Sequence, residues 1–333
     1  MAVGEQWGLA SAVTIVLSGS LAFDYIMNFP GYFEDHILPD KIHVLNVSFL
    51  VESLDRQRGG IAGNIAYSLG LLRQPCRVVG TVGNDFEEYR AELEALGVDV
   101  SGIVVLEDQV TASAFITTDR ADNQITGFFP GAMAFAGEHS IGPYLKDATM
   151  AVVSPTAPAA MVRHVNELKA AGVPYLYDPG QQVVALTGDD LRDGIEGATM
   201  VAGNDYEIAL IEEKTELSRE DIVNKVPIVV VTFGDLGSTI YADGQIWEIP
   251  TAEPWSVVDP TGAGDGYRAG LLTGYCHGLD WDTTGRLAAM VAAFVVEQKG
   301  TQAHSFTIEE FRDRFAAEFP DHAKELDRLF EAD

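Results

Sequence analysis

Short apolar runs of strand length recur along the chain: "VTIVLSG" at 13–19, "CRVVGTVG" at 76–83, "MAVVS" at 150–154, "PYLYD" at 174–178, "TMVAG" at 199–203 and "PIVVVTFG" at 227–234. Between most of them the apolar residues return at helical spacing, over 61–72, 86–96, 159–171, 205–213 and 264–277. Strands that are apolar on both faces and alternate with helices predict a mostly parallel sheet, covered on both sides. From residue 282 onward the pattern is mostly helical, and the amphipathic "EEFRDRFAAEFPDHAKELDRLF" at 309–330 reads as a packing segment. Two β-rich insertions interrupt the alternation. Residues 25–58 hold strand-like pieces and no clean helix, and 110–129 read as a hairpin around Asp122 and Asn123. Together they predict a small lid beside the main sheet, because one hairpin alone is barely stable. Residues 1–11 read as an extension, so the domain spans 12–333.

Composition narrows what such a domain binds. Hydrophobic residues make up 47% of 333, enough for a large core. Fifty acidic against 21 basic residues leave a net charge of -29. Nucleic-acid binding needs a basic footprint, and an acidic membrane surface would repel this chain. An anionic substrate therefore requires a locally positive site. No apolar run approaches the ~20 residues of a membrane span, and the start lacks the basic region of a signal peptide. Cys76 and Cys276 stand far apart in no metal-ligand spacing, which predicts a reduced, cytoplasmic setting.

Ligands of open α/β sheets bind beyond the carboxyl ends of the strands. Ser20 and Asp24 follow the first strand; Asp178, Gln181 and Gln182 follow "PYLY"; "NDYE" follows "TMVAG"; Gly234 and Gly237 follow "PIVVVT". "DPTGAGDG" at 259–266 opens a helix. The amides of Gly262, Ala263 and Gly264 can hold an oxyanion there, and Asp265 can take the proton of an attacking hydroxyl. A capped helix start, with Asp265 on the dipole, is the competing reading. In "GGIAGN" at 59–64, Asn64 offers a donor and an acceptor suited to a vicinal diol, with Asp24 able to accept from the same hydroxyls; taken alone, a turn and a core helix explain it more simply. Asn204 and Glu207, three apart, can hold the waters of Mg²⁺ or form an N-cap with a first-turn acid. Thr232, Gly234 and Gly237 suit phosphate or ribose, or a turn into the hairpin "TIYADGQIWEI". Asp259-Pro260-Thr261 shape a cation-binding loop or start a turn. Arg268, one turn past Asp265, neutralises phosphate or stays solvated. His164 and His277 form no catalytic pattern, and no G-x-G-x-x-G follows the first strand, which argues against a dinucleotide site.

With "GGIAGNIAYSLGLL" near the front, "DPTGAGDGYRAGLLTG" near the back and "NDYE" between them, the chain resembles the ribokinase-like carbohydrate and nucleoside kinases over nearly its whole length. The resemblance implies a three-layer α/β/α sandwich with a mostly parallel sheet and a β lid, and ATP-dependent phosphorylation of a primary hydroxyl. "SGSLAFDYIMNFPGYF", "LNVSFLVESLDRQRGG", "FFPGAM", "DPGQQ" and "GTQ" at 300–302 look like the bacterial adenosine kinases of that family. By that likeness Asp265 is the general base and residues 262–264 form the anion hole. Ser20, Asp24, Gly60 and Asn64 hold the nucleoside, Phe49 and Phe115 flank its base, and Gln181 and Gln182 lie near the purine edge. Asn204 and Glu207 serve Mg²⁺ and phosphate, Glu207 through water. Thr232, Gly234, Gly237 and Arg268 line the ATP side. Asp259 and Thr261 mark a K⁺ site, although Lys299 brings an ammonium that would replace or repel the ion. Gly266-Tyr267 also departs from the Ala-Phe usual after the base. A sugar kinase for ribose or fructose, and an inactive nucleoside-binding regulator, are the alternatives; exposed lid strands imply a homodimer.

Overall fold

The computed structural model describes residues 14–37, 46–121 and 123–330. The extension over 1–11 and Asp122 of the expected hairpin lie outside them. Along the chain the strands are β1 (Ile15–Ser18), β2 (Ala22–Asn28), β3 (Ser53–Gly59), β4 (Cys76–Gly83), β5 (Asp99–Leu106), β6 (Ala112–Thr118), β7 (Gln124–Phe129), β8 (Met150–Val153), β9 (Tyr175–Tyr177), β10 (Met200–Asn204), β11 (Ile228–Thr232), β12 (Ser238–Ala242) and β13 (Gln245–Ile249). The helices are α1 (Ile61–Leu71), α2 (Glu87–Ala95), α3 (Pro158–Ala171), α4 (Gly188–Ile195), α5 (Asp205–Thr215), α6 (Arg219–Lys225), α7 (Ala263–Cys276), α8 (Trp281–Val296), α9 (Ile308–Glu318) and α10 (Ala323–Phe330).

Nine strands form one sheet in the order β13-β12-β11-β10-β9-β8-β1-β4-β5. Every pairing from β11 to β5 is parallel, and the hairpin β12–β13 adds an antiparallel edge. The strands are apolar on both sides because helices cover both. Ile15, Leu17, Val78 and Val152 pack with Ile65 and Leu69 of α1, Leu93 of α2, Leu271 of α7 and Ala288 of α8. The alternate residues Val16, Val79, Ala151 and Val153 pack with Val165 of α3, Leu191 of α4, Ile211 of α5 and Ile222 of α6. A slip of one residue would exchange the two sets, so burial sets the register. The expected α/β/α sandwich is therefore present, with α9 and α10 joined to α8 through Phe311, Phe315 and Leu326. Because β1, β8, β9, β10 and β11 run parallel, their carboxyl ends share one edge. The strand order turns there on either side of β1, and a crevice opens.

The second sheet has four strands in the order β3-β2-β6-β7, with β2 and β6 parallel and both outer pairs antiparallel. It comes from the two insertions, and its first strand begins at Ala22, before residue 25. Its pleat decides which side chains reach the crevice. Asp24, Ala114 and Phe128 are cross-strand partners, as are Tyr25, Phe115 and Gly127 one residue along, so the two sets point to opposite faces.

Candidate active site

Between the strand ends of the large sheet and one face of the small sheet lies a cleft of about 920 Å³. Its walls include Ser20, Asp24, Gly60 and Asn64 from the front of the chain. Gln181, Gln182, Asn204, Glu207, Thr232 and Gly234 come from the middle. Thr261, Gly262, Gly264, Asp265 and Arg268 close it.

The glycine loop is held by its own backbone. Asp259 accepts from the Thr261 N–H through Oδ1 (2.9 Å) and from the Gly300 N–H through Oδ2 (3.1 Å). Gly262 starts α7 at φ +84°, and a Cβ on it would meet Thr301 Cβ at 3.0 Å, so both conformation and space require glycine. The Ala263 N–H donates to Pro260 O (3.2 Å) and is already committed. Ala263 does not line the cleft, so it leaves the expected anion hole. The N–H groups of Gly262, Gly264 and Asp265 have no partner among the described residues. Those three amides, at a helix start, present free donors of the kind that can hold an anion.

Asp265 stands in the first turn of α7. Burial pushes its carboxyl up to about 7, against the lowering effects of the Arg268 guanidinium and the Asn64 amide; the charges of Asp178 and Glu207 push it further up. That places it where a carboxylate both ionises and takes a proton near neutrality. Asn64 Nδ2 donates to Asp265 Oδ2 at 2.8 Å. Asn64, expected on the nucleoside, is thus bonded to the candidate base.

Arg268 is neither solvated nor turned to solvent. It is 7% exposed, forks onto the Asp178 carboxylate through Nε and Nη2, donates from Nη1 to Gly264 O (2.9 Å), and stands 3.9 Å from Glu207. It braces the glycine loop from beneath and contributes positive charge to the cleft. Breaking such a buried pair costs about 3–5 kcal/mol.

Asp24 contrasts with it. Burial, and then the charge of Asp259, raise its carboxyl to about 6, yet among the described residues no side chain or amide bonds to it. It faces the cleft as a free acceptor. Ser20 is already engaged: its Oγ accepts from the Ile61 N–H (3.1 Å) and its carbonyl from the Ala62 N–H (3.1 Å). That tight approach of α1 to the strand end passes over Gly60, where a Cβ would meet Ser20 O at 2.6 Å.

Asn204 and Glu207 form a reciprocal capping box on α5, each accepting from the other's N–H at 2.8 Å. Glu207 Oε1 stays free at the cleft, with its carboxyl raised by burial and then by Asp178. No group of three or more His, Cys, Asp or Glu among the described residues could cage a metal. One free carboxylate oxygen fits Mg²⁺ only where the ion keeps its waters and leans on substrate phosphates. At the expected K⁺ position both Asp259 oxygens are occupied by amides, so its carboxylate fits a loop brace rather than a cation ligand.

Besides Ala263 and Asp259, three expected residues lie off the cleft. Gly237 closes the turn into β12, its carbonyl accepting the Phe233 N–H (2.8 Å). Phe49 sits against Phe29 (4.8 Å) and Phe33 (5.0 Å) in an aromatic cluster of the insertion. Phe115 stacks on Tyr25 (5.0 Å, 11°), on the face turned away. Phe128 lines the cleft instead, a position that only the β6–β7 register reveals. Asp178 and Thr301 also line the cleft, and Gln302 stands behind it on Asn64; Asp178 follows a strand and the other two lie in "GTQ", but nothing local marks what they touch.

A mixed α/β/α sandwich, capped by a small sheet over an amide-lined cleft with a near-neutral carboxylate, defines a class of phosphate-handling folds, and comparison with known proteins places the chain within it. The pfkB family carbohydrate kinases match residues 22–308, and the chain belongs to that family. The nucleoside kinase of Burkholderia thailandensis, solved in complex with inosine, is 42% identical and superposes with a TM-score of 0.83 over 92% of this chain and 98% of that one. The nucleoside kinase of Methanocaldococcus jannaschii, described as an archaeal member of the ribokinase family, is 30% identical with a TM-score of 0.83, covering 91% and 98%. The nucleoside kinase of Methanothermobacter thermautotrophicus is 33% identical over 305 residues, 90% of this chain and 95% of that protein. These relatives are named nucleoside kinases, a wider class than the adenosine kinases that the sequence motifs resemble.

Proposed function

We propose that the chain is an ATP-dependent nucleoside kinase that transfers the γ-phosphoryl group to the 5′-hydroxyl of a purine nucleoside, adenosine among its substrates. One observation carries the reading: a free carboxylate on the small sheet (Asp24), three unpaired amides (Gly262, Gly264, Asp265) and a near-neutral carboxylate (Asp265) share one cleft. Its volume of about 920 Å³ admits a nucleoside and a nucleotide together. Asp24 accepts from the ribose diol. Phe128 lies against the base, and the side chains of Gln181 and Gln182, unpaired among the described residues, reach its polar edge. Asp265 takes the 5′-hydroxyl proton as that oxygen bonds to the γ-phosphorus and the bond to the ADP oxygen breaks. The amides receive charge on the transferring group, with Arg268 behind them. Glu207 and Asn204 would hold Mg²⁺ through water, and the ion would supply neutralising charge to the nucleotide phosphates. The nucleoside kinases among the relatives support this reading, the inosine complex above all.

The test is a panel of adenosine, inosine, guanosine, cytidine, ribose and fructose with ATP or GTP, read as ADP or GDP release. Purine nucleosides are expected to lead, and turnover confined to free sugars would overturn the assignment. Asp265→Asn is expected to lower kcat by about 10²–10⁴ while nucleoside binding by calorimetry persists; parent-like turnover would sink the mechanism. The same proposal includes a cytoplasmic setting, supported by two free cysteines, and self-association through the outer face of the small sheet.

A further inference from the structure

Behind Asp265 runs a chain of buried polar groups that the proposed reaction does not use. Asn64 Oδ1 accepts from Thr301 Oγ1 and from Gln302 Nε2, each at 2.9 Å. With two donors aimed at it, that atom is the carbonyl oxygen, so the amide nitrogen must face Asp265. Gln302 Nε2 also donates to the Tyr89 hydroxyl, which in turn donates to Gly59 O (3.0 Å). Thr301 Oγ1 lies 3.1 Å from Arg58 O as well. Asn64, Tyr89, Thr301 and Gln302 are all at most 6% exposed. Gln302 Oε1 is buried and has no partner among the described residues. An amide that leaves its own acceptor orphaned is held by its donor side, which points to Nε2 as the atom under constraint.

Both routes into Asn64 begin on the last two residues of β3. The Thr301 hydroxyl carries one hydrogen and faces two acceptors, Arg58 O and Asn64 Oδ1, so it serves one at a time. Movement of β3 therefore changes which of them it serves, and the hydroxyl of Tyr89 follows the same strand through Gly59.

We propose that Gln302 and Tyr89 are positioning residues for phosphoryl transfer: they lock the Asn64 amide with its nitrogen toward Asp265 and tie that lock to strand β3 of the small sheet. The proposal rests on Asp265 being the base. A donor held on a carboxylate favours its charged form, so a loosened Asn64 leaves Asp265 harder to ionise. Closure of the small sheet over substrate then sets the base by the same movement that encloses the nucleoside.

Gln302→Leu removes both bonds that Nε2 donates, to Asn64 and to Tyr89, and leaves Thr301 on Asn64; Tyr89→Phe removes a single oxygen. Each is assayed with inosine and ATP–Mg²⁺ from about pH 5.5 to about pH 9, with circular dichroism to verify folding. The expected result for Gln302→Leu is a kcat lower by about 10–100-fold, a nucleoside KM within about twofold, and an acid limb of kcat/KM displaced to higher pH. Tyr89→Phe moves the same quantities in the same direction by less, and it decides the matter alone if Gln302→Leu does not fold. Folded variants that keep the parent's acid limb overturn the proposal, whether or not kcat falls, because a merely structural role leaves that limb in place. Asp265→Asn separates the two ideas. If it is inactive while the other variants keep the parent profile, only the positioning role fails; if it turns over like the parent, the base assignment fails and the positioning role with it.

Discussion

Asp265 is a carboxylate whose surroundings favour its neutral form, and this has consequences for rate and stability that run in opposite senses. The proposed mechanism needs it ionised, so kcat/KM is expected to fall as pH drops through about 7, the value to which burial raises it. Stability responds the other way. The folded-state value lies above the ordinary 3.8, so the folded chain binds this proton more tightly than the unfolded one. Its contribution is full below the unfolded value and is lost as pH rises through about 7. Asp265→Asn fixes the neutral state, and denaturant titration at pH near 8 is expected to show a gain of about 1–2 kcal/mol, water in the cleft screening the rest. The gain should vanish toward pH 4; a variant less stable than its parent at the higher pH would contradict the burial argument. Asp265 was legible in the sequence because a glycine loop and an acid at a helix start form a local pattern. The bond to Asn64 was not, since it joins residues 201 apart and its orientation depends on Thr301 and Gln302 a further stretch away.

At the scale of the element, the start of α7 binds loop, helix and cleft into one unit. Gly262→Ala puts a Cβ at φ +84°, 3.0 Å from Thr301. The left-handed conformation alone costs about 1–2 kcal/mol, and Thr301 is the residue that would have to yield. Thermal melting is expected to show that loss, with a fall in kcat larger than the stability change explains, because Thr301 also bonds to Asn64. An unchanged melting temperature would mean that the loop relaxes without strain. Elements with long periodic faces were readable within a residue or two: α1, α3 and α7 start and end almost where their apolar spacing does. The short α4 and α6 were not foreseen, although each opens with a capping box at Thr187–Asp190 and Ser218–Asp221. Strand β5 was missed because Ser101 and Gly102 interrupt its apolar run and half of it faces outward. Phe115 was assigned to the base pocket through the family likeness, which carries a residue's type but not the face it occupies. Which face a strand residue occupies depends on register with neighbouring strands, and no single segment carries that information.

For the whole molecule, the same register leaves an apolar surface uncovered. The large sheet is enclosed on both sides, but the small sheet has helices on neither outer edge, and its far face exposes Leu54 (65%), Phe115 (44%), Ile125 (45%) and Phe129 (49%). These residues lie on three of its four strands, and β3 and β7 each present an edge unpaired among the described residues. Such a face is the ordinary mark of an interaction surface, and a two-fold pair of small sheets would cover both copies alike. Two chains of net charge -29 repel, so the proposed association has to be apolar and to strengthen as salt screens that repulsion. Sedimentation equilibrium is expected to give a dimer whose dissociation constant falls with rising salt, and a monomer for Phe115→Asp with Ile125→Asp. Because both side chains point away from the cleft, the monomer should still bind nucleoside. A parent chain that sediments as a monomer at high salt would remove the interface, and leave that apolar face to some other partner.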